Sequence, residues 1–264
     1  TFQLLDEDGN ALPQDVWYPN HEQLTEFTTD DSGCVTFPGE LTPGTYRIRE
    51  VAAAAPYLTA GEDLVLTIED TPNLAPITMV SFFDDQATGS ASIVKRCSTG
   101  GVEGDSGTHD EGCAQALAGA EFDVAATHDV VSPDGSVLAV DGEVVDHVVT
   151  GEDGIATAEG LPLGTGTATY AFVETKPAAG HALDATPYEF TLSYVDDHTP
   201  VVTASVEAVN EPTTATLDKA VLGTGAALPG ATFALWREGA EDEDERVILT
   251  TDETGTIAFR HLGT

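Results

Sequence analysis

The feature that most constrains the fold of this chain is a phrase that returns three times. A polar turn closed by glycine runs straight into a strand of alternating apolar and polar residues. It reads Thr29-Asp-Asp-Ser-Gly-Cys-Val-Thr-Phe37, then Gly151-Glu-Asp-Gly-Ile-Ala-Thr157, then Thr251-Asp-Glu-Thr-Gly-Thr-Ile-Ala-Phe259. Two further landmarks keep the same order around it. Phe2-Gln-Leu-Leu5 matches Gly119-Ala-Glu-Phe122 and Gly230-Ala-Thr-Phe233. Leu41-Thr-Pro-Gly-Thr-Tyr-Arg-Ile-Arg-Glu50 matches Leu161 through Glu174, and a third copy opens at Leu262-Gly263-Thr264. The spacing exceeds the 20 to 50 residues of solenoid repeats, so each copy is expected to be a domain with its own core.

The landmarks divide the chain into three expected units: 1–88, 89–211 and 212–264. The first begins after the place of its opening strand, the second is complete, and the third stops before its Glu-ended strand. Both termini are therefore expected to cut through domains of a longer repeat protein, which leaves targeting and anchoring signals uninformative. Runs such as Leu64–Ile68, Tyr188–Leu192 and Val201–Val206 alternate or are β-branched, and Gly, Pro, Asn and Asp bound them. No window shows a helical apolar period. Several short strands per unit predict an all-β fold of tandem small β-sandwiches, Ig-like and of Greek-key type.

The balance of charge excludes some partners. Lys plus Arg number 9 and Asp plus Glu 46, giving a net charge of −37 that repels nucleic acid and anionic membrane surfaces. No apolar run approaches the roughly 20 residues of a membrane span. The seven His residues show no metal-ligand spacing, and no phosphate loop or catalytic serine motif occurs. No cofactor or metal is expected. The Asp6-Glu-Asp-Gly-Asn10 stretch reads as a hairpin turn, and Glu241–Glu245 as a solvated loop.

Against that acidity, the chain has three lysines, and two fall at one repeat position. Lys95 ends Ser90-Ala-Ser-Ile-Val-Lys95 and Lys219 ends Thr214-Ala-Thr-Leu-Asp-Lys219. In the complete unit, Glu174 shares a strand face with Phe172, and Asn210 shares one with Val206 and Ala208. A Lys, a Glu and an Asn directed into one apolar core must satisfy one another.

The lysine on the first strand, the Glu174-Thr-Lys-Pro-Ala-Ala-Gly180 box and the terminal Asn210 before Glu-Pro together resemble the Cna protein B-type, or SpaA-type prealbumin-like, repeat of Gram-positive surface proteins and pilins. The resemblance implies an intramolecular isopeptide bond. The Lys95 amine would attack the side-chain carbonyl carbon of Asn210, and Glu174, as a protonated acid, would polarise it and relay protons while ammonia leaves. This is self-modification in a single event, not enzyme turnover. In the first unit Glu50 matches Glu174, although the following Val51–Pro56 lacks the family's glycine. Asp84, favoured over Asp85 by alternation with Val80 and Phe82, stands where Asn210 does. In the third unit only Lys219 is present. Lys176 reads as a surface residue. Trp17-Tyr-Pro-Asn20 is similar to a pilin crosslinking motif but carries no lysine.

The resemblance also implies an extracellular, cell wall-attached stalk or pilin-like adhesin segment whose partners are neighbouring repeats of the same chain. In that setting Cys97 and Cys113, which flank a Gly/Ser/Asp-rich insertion, suit a loop-closing disulfide contributing on the order of 3 kcal/mol; two unrelated thiols remain the other reading. Cys34 is expected to face outward as a free thiol. Two alternative functions stay open: a loop-mediated binding module for a host glycan or matrix protein, and an accessory domain of a secreted enzyme. The Cys97–Cys113 insertion would be the binding surface, though it lacks aromatic residues for stacking on sugar.

Overall fold

The computed structural model describes residues 1–70, 78–98, 116–236 and 247–260. Every regular element among them is a strand, and no helix among them is long and apolar enough to cross a membrane. The first unit holds β1 (Phe2–Leu5), β2 (Gln14–Val16), β3 (Glu22–Leu24), β4 (Gly44–Glu50) and β5 (Leu64–Ile68). The second holds β6 (Thr88–Cys97), β7 (Glu121–Ala126), β8 (Val130–Val131), β9 (Val137–Ala139), β10 (Val144–Val149), β11 (Ile155–Pro162), β12 (Thr167–Lys176), β13 (Tyr188–Ser193) and β14 (Val201–Asn210). The third holds β15 (Thr214–Asp218), β16 (Thr232–Leu235), β17 (Val247–Thr250) and β18 (Thr256–Arg260).

The second unit is a sandwich of two sheets, one in the order β10-β7-β12-β13 and the other β11-β6-β14. Strict alternation explains the layering. On β6, Ala91, Ile93, Lys95 and Cys97 turn inward, while Ser90, Ser92 and Arg96 do not. Phe122 and Val124 of β7, Tyr170 and Phe172 of β12 and Leu192 of β13 meet them from the opposite sheet. The rings of Phe122 and Phe172 lie edge to face, 6.3 Å apart. β6 is the centre of its sheet, antiparallel to β11 and parallel to β14.

The repeat seen in the sequence is a repeat of register. Phe2 pairs with Glu50 across β1 and β4, as Phe122 pairs with Glu174 across β7 and β12. Asp218 pairs with Thr256 across β15 and β18, as Val94 pairs with Ile155 across β6 and β11. Two expected strands of the first unit are not strands. Cys34–Phe37 and Met79–Asp84 have no ladder, whereas their counterparts β11 and β14 both hang on β6. Among the described residues, no strand fills the place of β6 beside them, and an edge without a partner makes no ladder.

Consecutive units are joined alike. Leu58 N donates to Asp85 O at 2.8 Å and Ala87 N to Pro56 O at 2.9 Å. At the second junction Ala182 N donates to Glu211 O and Thr213 N to Gly180 O, both at 2.9 Å. Each linker therefore pairs with the loop that follows the Glu-ended strand.

Candidate functional site

Three polar side chains meet inside the apolar core of the second unit. Lys95 comes from β6, Asn210 from the end of the adjacent β14, and Glu174 from β12 in the facing sheet. They are 0%, 1% and 2% exposed respectively, which separates them from ordinary surface residues. In register, Lys95 lies beside Ala208 and Asn210 beside Cys97, so the two side chains stand on one face, one pleat apart. Lys95 Nζ is 3.1 Å from Glu174 Oε1, an ion-pair distance without the alignment of a hydrogen bond. Asn210 Nδ2 donates to both carboxylate oxygens, each at 2.9 Å. The backbone N–H of Asp184 donates to Glu174 Oε2 at 2.8 Å.

The surroundings weaken the lysine's charge. Burial pulls the Lys95 ammonium below its usual range, against the opposing pull of Glu174. The rings of Phe122 and Tyr188 flank Nζ at 5.4 and 5.8 Å from their centroids. Asn210 Oδ1 is buried with no hydrogen-bond partner. A nucleophile poor in hydrogen bonds, an unpaired carbonyl oxygen and a carboxyl that reaches both the amine and the carboxamide nitrogen are parts an acyl transfer uses. The turn that follows β10 fixes the lysine's backbone. Lys95 N donates to Gly154 O at 2.7 Å, and Leu117 N to Lys95 O at 3.0 Å. Gly154 has φ +74°, and a Cβ there would come within 2.7 Å of Lys95 O, so glycine is required.

The first unit repeats the carboxyl half of this arrangement. Glu50 is 5% exposed, and its Oε2 accepts the backbone N–H of Ala60 at 2.8 Å, ten residues on, as Glu174 does from Asp184. Burial raises the Glu50 carboxyl, and the neighbouring Asp84 carboxylate adds to the rise. Asp84 is half-buried while Asp85 is exposed. In the third unit Lys219 is exposed, yet its backbone repeats that of Lys95: its N donates to Gly255 O at 2.8 Å, and its O accepts Leu228 N at 2.9 Å.

The remaining expected residues are placed as follows. Cys97 is buried and disulfide-bonded; Cys113 lies outside the described residues, as does the insertion from residue 99 on. Cys34 is exposed and free. Lys176 is a surface residue at the end of β12, 2.7 Å from Glu121 Oε1. Trp17 and Tyr18 are exposed on the first unit, with Trp17 stacked on His21. Among the described residues, no cluster of His, Cys, Asp and Glu is arranged to hold a metal ion. Sequence reasoning missed Asp184 and Tyr188. Asp184 lies in the stretch leading into β13 and Tyr188 opens that strand, and nothing in one sequence marks an Asp ten residues beyond a Glu as its neighbour.

The chain matches the family model of the SpaA prealbumin-like fold domain over residues 1–80 and 108–208. Among solved structures it is similar to the Bacillus anthracis TIE protein, with a TM-score of 0.52 and 18% identity over 98% of this chain and 43% of that one. It thus spans less than half the length of that protein. It also resembles a streptococcal ancillary pilin, at a TM-score of 0.33 and 19% identity over 92% of this chain and 70% of that one. The shaft pilin SpaA from Lactobacillus rhamnosus GG matches with a TM-score of 0.32 and 19% identity, covering 67% of this chain and 84% of the pilin. No curated protein matches the sequence.

Proposed function

Because this chain belongs to the SpaA prealbumin-like fold family, we propose that it is a stalk segment of a Gram-positive surface protein that carries tension, locked in its second unit by a bond between Lys95 and Asn210. The single observation that carries this reading is the burial of Lys95, Glu174 and Asn210 together, 3.1 and 2.9 Å apart, among the apolar side chains of the core. An ion pair held so deep is no economical way to stabilise a fold, since a well-packed apolar replacement is often as stable or more so. A covalent bond gives the three residues a reason to be there.

The chemistry balances without any outside reagent. One Nζ proton crosses 3.1 Å to Glu174, leaving an amine and an acid. A half-turn of the Asn210 carboxamide exchanges Nδ2 and Oδ1 and sets the carbonyl oxygen against the protonated Glu174. The amine lone pair then forms a bond to Asn210 Cγ. Glu174 stabilises the developing oxyanion and passes its proton to Nδ2, the Cγ–Nδ2 bond breaks, and Nζ gives up its second proton. Two lysine protons leave with the carboxamide nitrogen as ammonium, and Glu174 ends as it began. Fixed proximity supplies much of the acceleration. The bond ties β6 to β14, so tension across the unit passes through a covalent link and not through ladder hydrogen bonds alone. In the first unit Asp84 and Glu50 stand where Asn210 and Glu174 do, but residues 1–88 hold no lysine, so no such bond would form there within this chain. Lys219 would be the third unit's nucleophile. A Cys97–Cys113 disulfide would close the insertion, because Cys34 is free and the chain has three cysteines.

Intact mass spectrometry of the folded chain tests this. The expected mass is lower than the sequence mass by one ammonia, apart from the two hydrogens of the disulfide. Lys95→Ala and Glu174→Ala should each restore the ammonia. A folded wild-type chain that keeps its full complement of nitrogen would refute the bond.

A further inference from the structure

We infer that Asp184 and Tyr188 form a positioning pair for this reaction, holding the Lys95 amine in its attacking place; the inference rests on the bond proposed above. Asp184 does two separate things. Its backbone N–H steadies Glu174, and Ala60 does the same for Glu50 in the first unit at the same 2.8 Å. Its carboxylate does something the first unit lacks. Oδ2 accepts the Tyr188 hydroxyl at 2.6 Å, while Oδ1 accepts Thr186 N at 3.0 Å. The position of Tyr188, opposite Phe172, is filled in the first unit by Leu64, opposite Ile48. The carboxylate and the ring are thus present together in the second unit and absent together from the first.

The pair is built to be rigid. Hydrogen bonds from Thr186 and then Tyr188 hold the Asp184 carboxyl below its usual range, with the charge of Lys95 contributing. Burial foremost, and then Asp184, push the Tyr188 phenol up to about 12. A charged acceptor thus faces a neutral donor, the short and strong kind of hydrogen bond. Through it Asp184 fixes a ring whose centroid is 5.8 Å from Lys95 Nζ; that of Phe122 is at 5.4 Å. Lysine has a long flexible stem, and the advantage of proximity exists only while the amine stays in line with its target. Phe122 comes from within β7 and Tyr188 from the first residue of β13, so two strands bring a ring close to the amine.

The test is a time course. The full chain is made by cell-free synthesis, quenched in denaturant at intervals and weighed intact. Asp184→Ala and Tyr188→Leu are expected to lose ammonia about tenfold more slowly than wild type, because the amine wanders from its near-attack geometry. Tyr188→Phe, which keeps the ring and loses its anchor, should fall between them and wild type. Asp184→Asn still accepts the tyrosine hydroxyl and should restore a near wild-type rate. Wild-type speed in Asp184→Ala or Tyr188→Leu would overturn the inference, and so would an Asp184→Asn rate as slow as that of Asp184→Ala. Urea midpoints in a Lys95→Ala background, where no bond forms, separate positioning from folding. A rate loss matched by a lost midpoint there would also overturn it. If wild type itself never loses ammonia, the failure belongs to the bond and not to the pair.

Discussion

Thr150 and Thr251 show how much one side chain can do in this fold. Each is 4% exposed and directly follows the strand that pairs with the Gly-Ala-x-Phe strand. The Thr150 hydroxyl donates to Leu117 O at 2.7 Å and accepts Ala120 N at 3.0 Å. Thr251 does the same with Leu228 O at 2.8 Å and Ala231 N at 2.9 Å. Two backbone groups that would otherwise be orphaned are satisfied by one hydroxyl. Thr150→Val should therefore cost about 2–6 kcal/mol, one to three for each buried group left unpaired, and urea unfolding in a Lys95→Ala background measures it. Thr150→Ser should recover most of that loss. In the sequence a threonine in a strand reads as one more β-branched residue, so this knot was invisible there. Lys95, Glu174 and Asn210 were legible for the opposite reason. A lysine is rare in this chain, and its repeat position together with strand alternation aimed all three inward.

At the scale of elements, the turn before β11 sets the register of the lysine strand. Gly154 at φ +74° packs under Lys95 O, and Gly255 at φ +76° packs under Lys219 O in the same way. Gly154→Ala would place a methyl group 2.7 Å from that oxygen and 2.9 Å from Leu117 N. The strain should destabilise the unit by about 1–3 kcal/mol, read from the denaturation midpoint. It should also slow the loss of ammonia, because β6 must shift to relieve the contact. The sequence announced these turns correctly, since glycine after acidic residues is a turn signal with a mechanism. It did not decide which strands would form. Cys34–Phe37 and Met79–Asp84 alternate as strands should, and they remain without a ladder. Alternation says which face a strand would bury, whereas a strand exists only when another backbone takes up its hydrogen bonds.

At the scale of the whole molecule, the first and second units are pinned as well as tethered. Beyond the paired linker, Asp197 in the loop between β13 and β14 reaches across the junction. Its Oδ2 accepts the Thr59 hydroxyl at 2.6 Å and Ala53 N at 3.0 Å, while Thr59 N donates to Asp197 O at 3.0 Å. Tyr194 Oη donates to Tyr57 O at 3.1 Å, and Leu58 packs against the core of the second unit. The Thr59 hydrogen bond, followed by those of Ala53 and His198, depresses the Asp197 carboxyl to about 2. The sign follows from the depressed value: the junction is held above the ordinary carboxyl range near 3.9 and loosens as pH falls through about 2. Small-angle scattering should show an angle between these units that is steady from neutral pH down to about 4 and broadens below it. Asp197→Ala should show the broadened distribution at neutral pH. A scattering profile unchanged by that substitution would mean that the paired linker alone sets the angle.

The sequence by itself determined the periodicity, the strand faces and the residue types of the buried triad, because alternation and turn chemistry are local and were written three times over. The tertiary structure decided everything that needs a second sheet. It set which oxygen of Glu174 each partner reaches, which rings flank Lys95, and how Asp184 joins a site whose other members lie on three strands. Contacts across a sandwich core join residues that are neighbours in neither sequence nor ladder, and no local pattern encodes the distance between them.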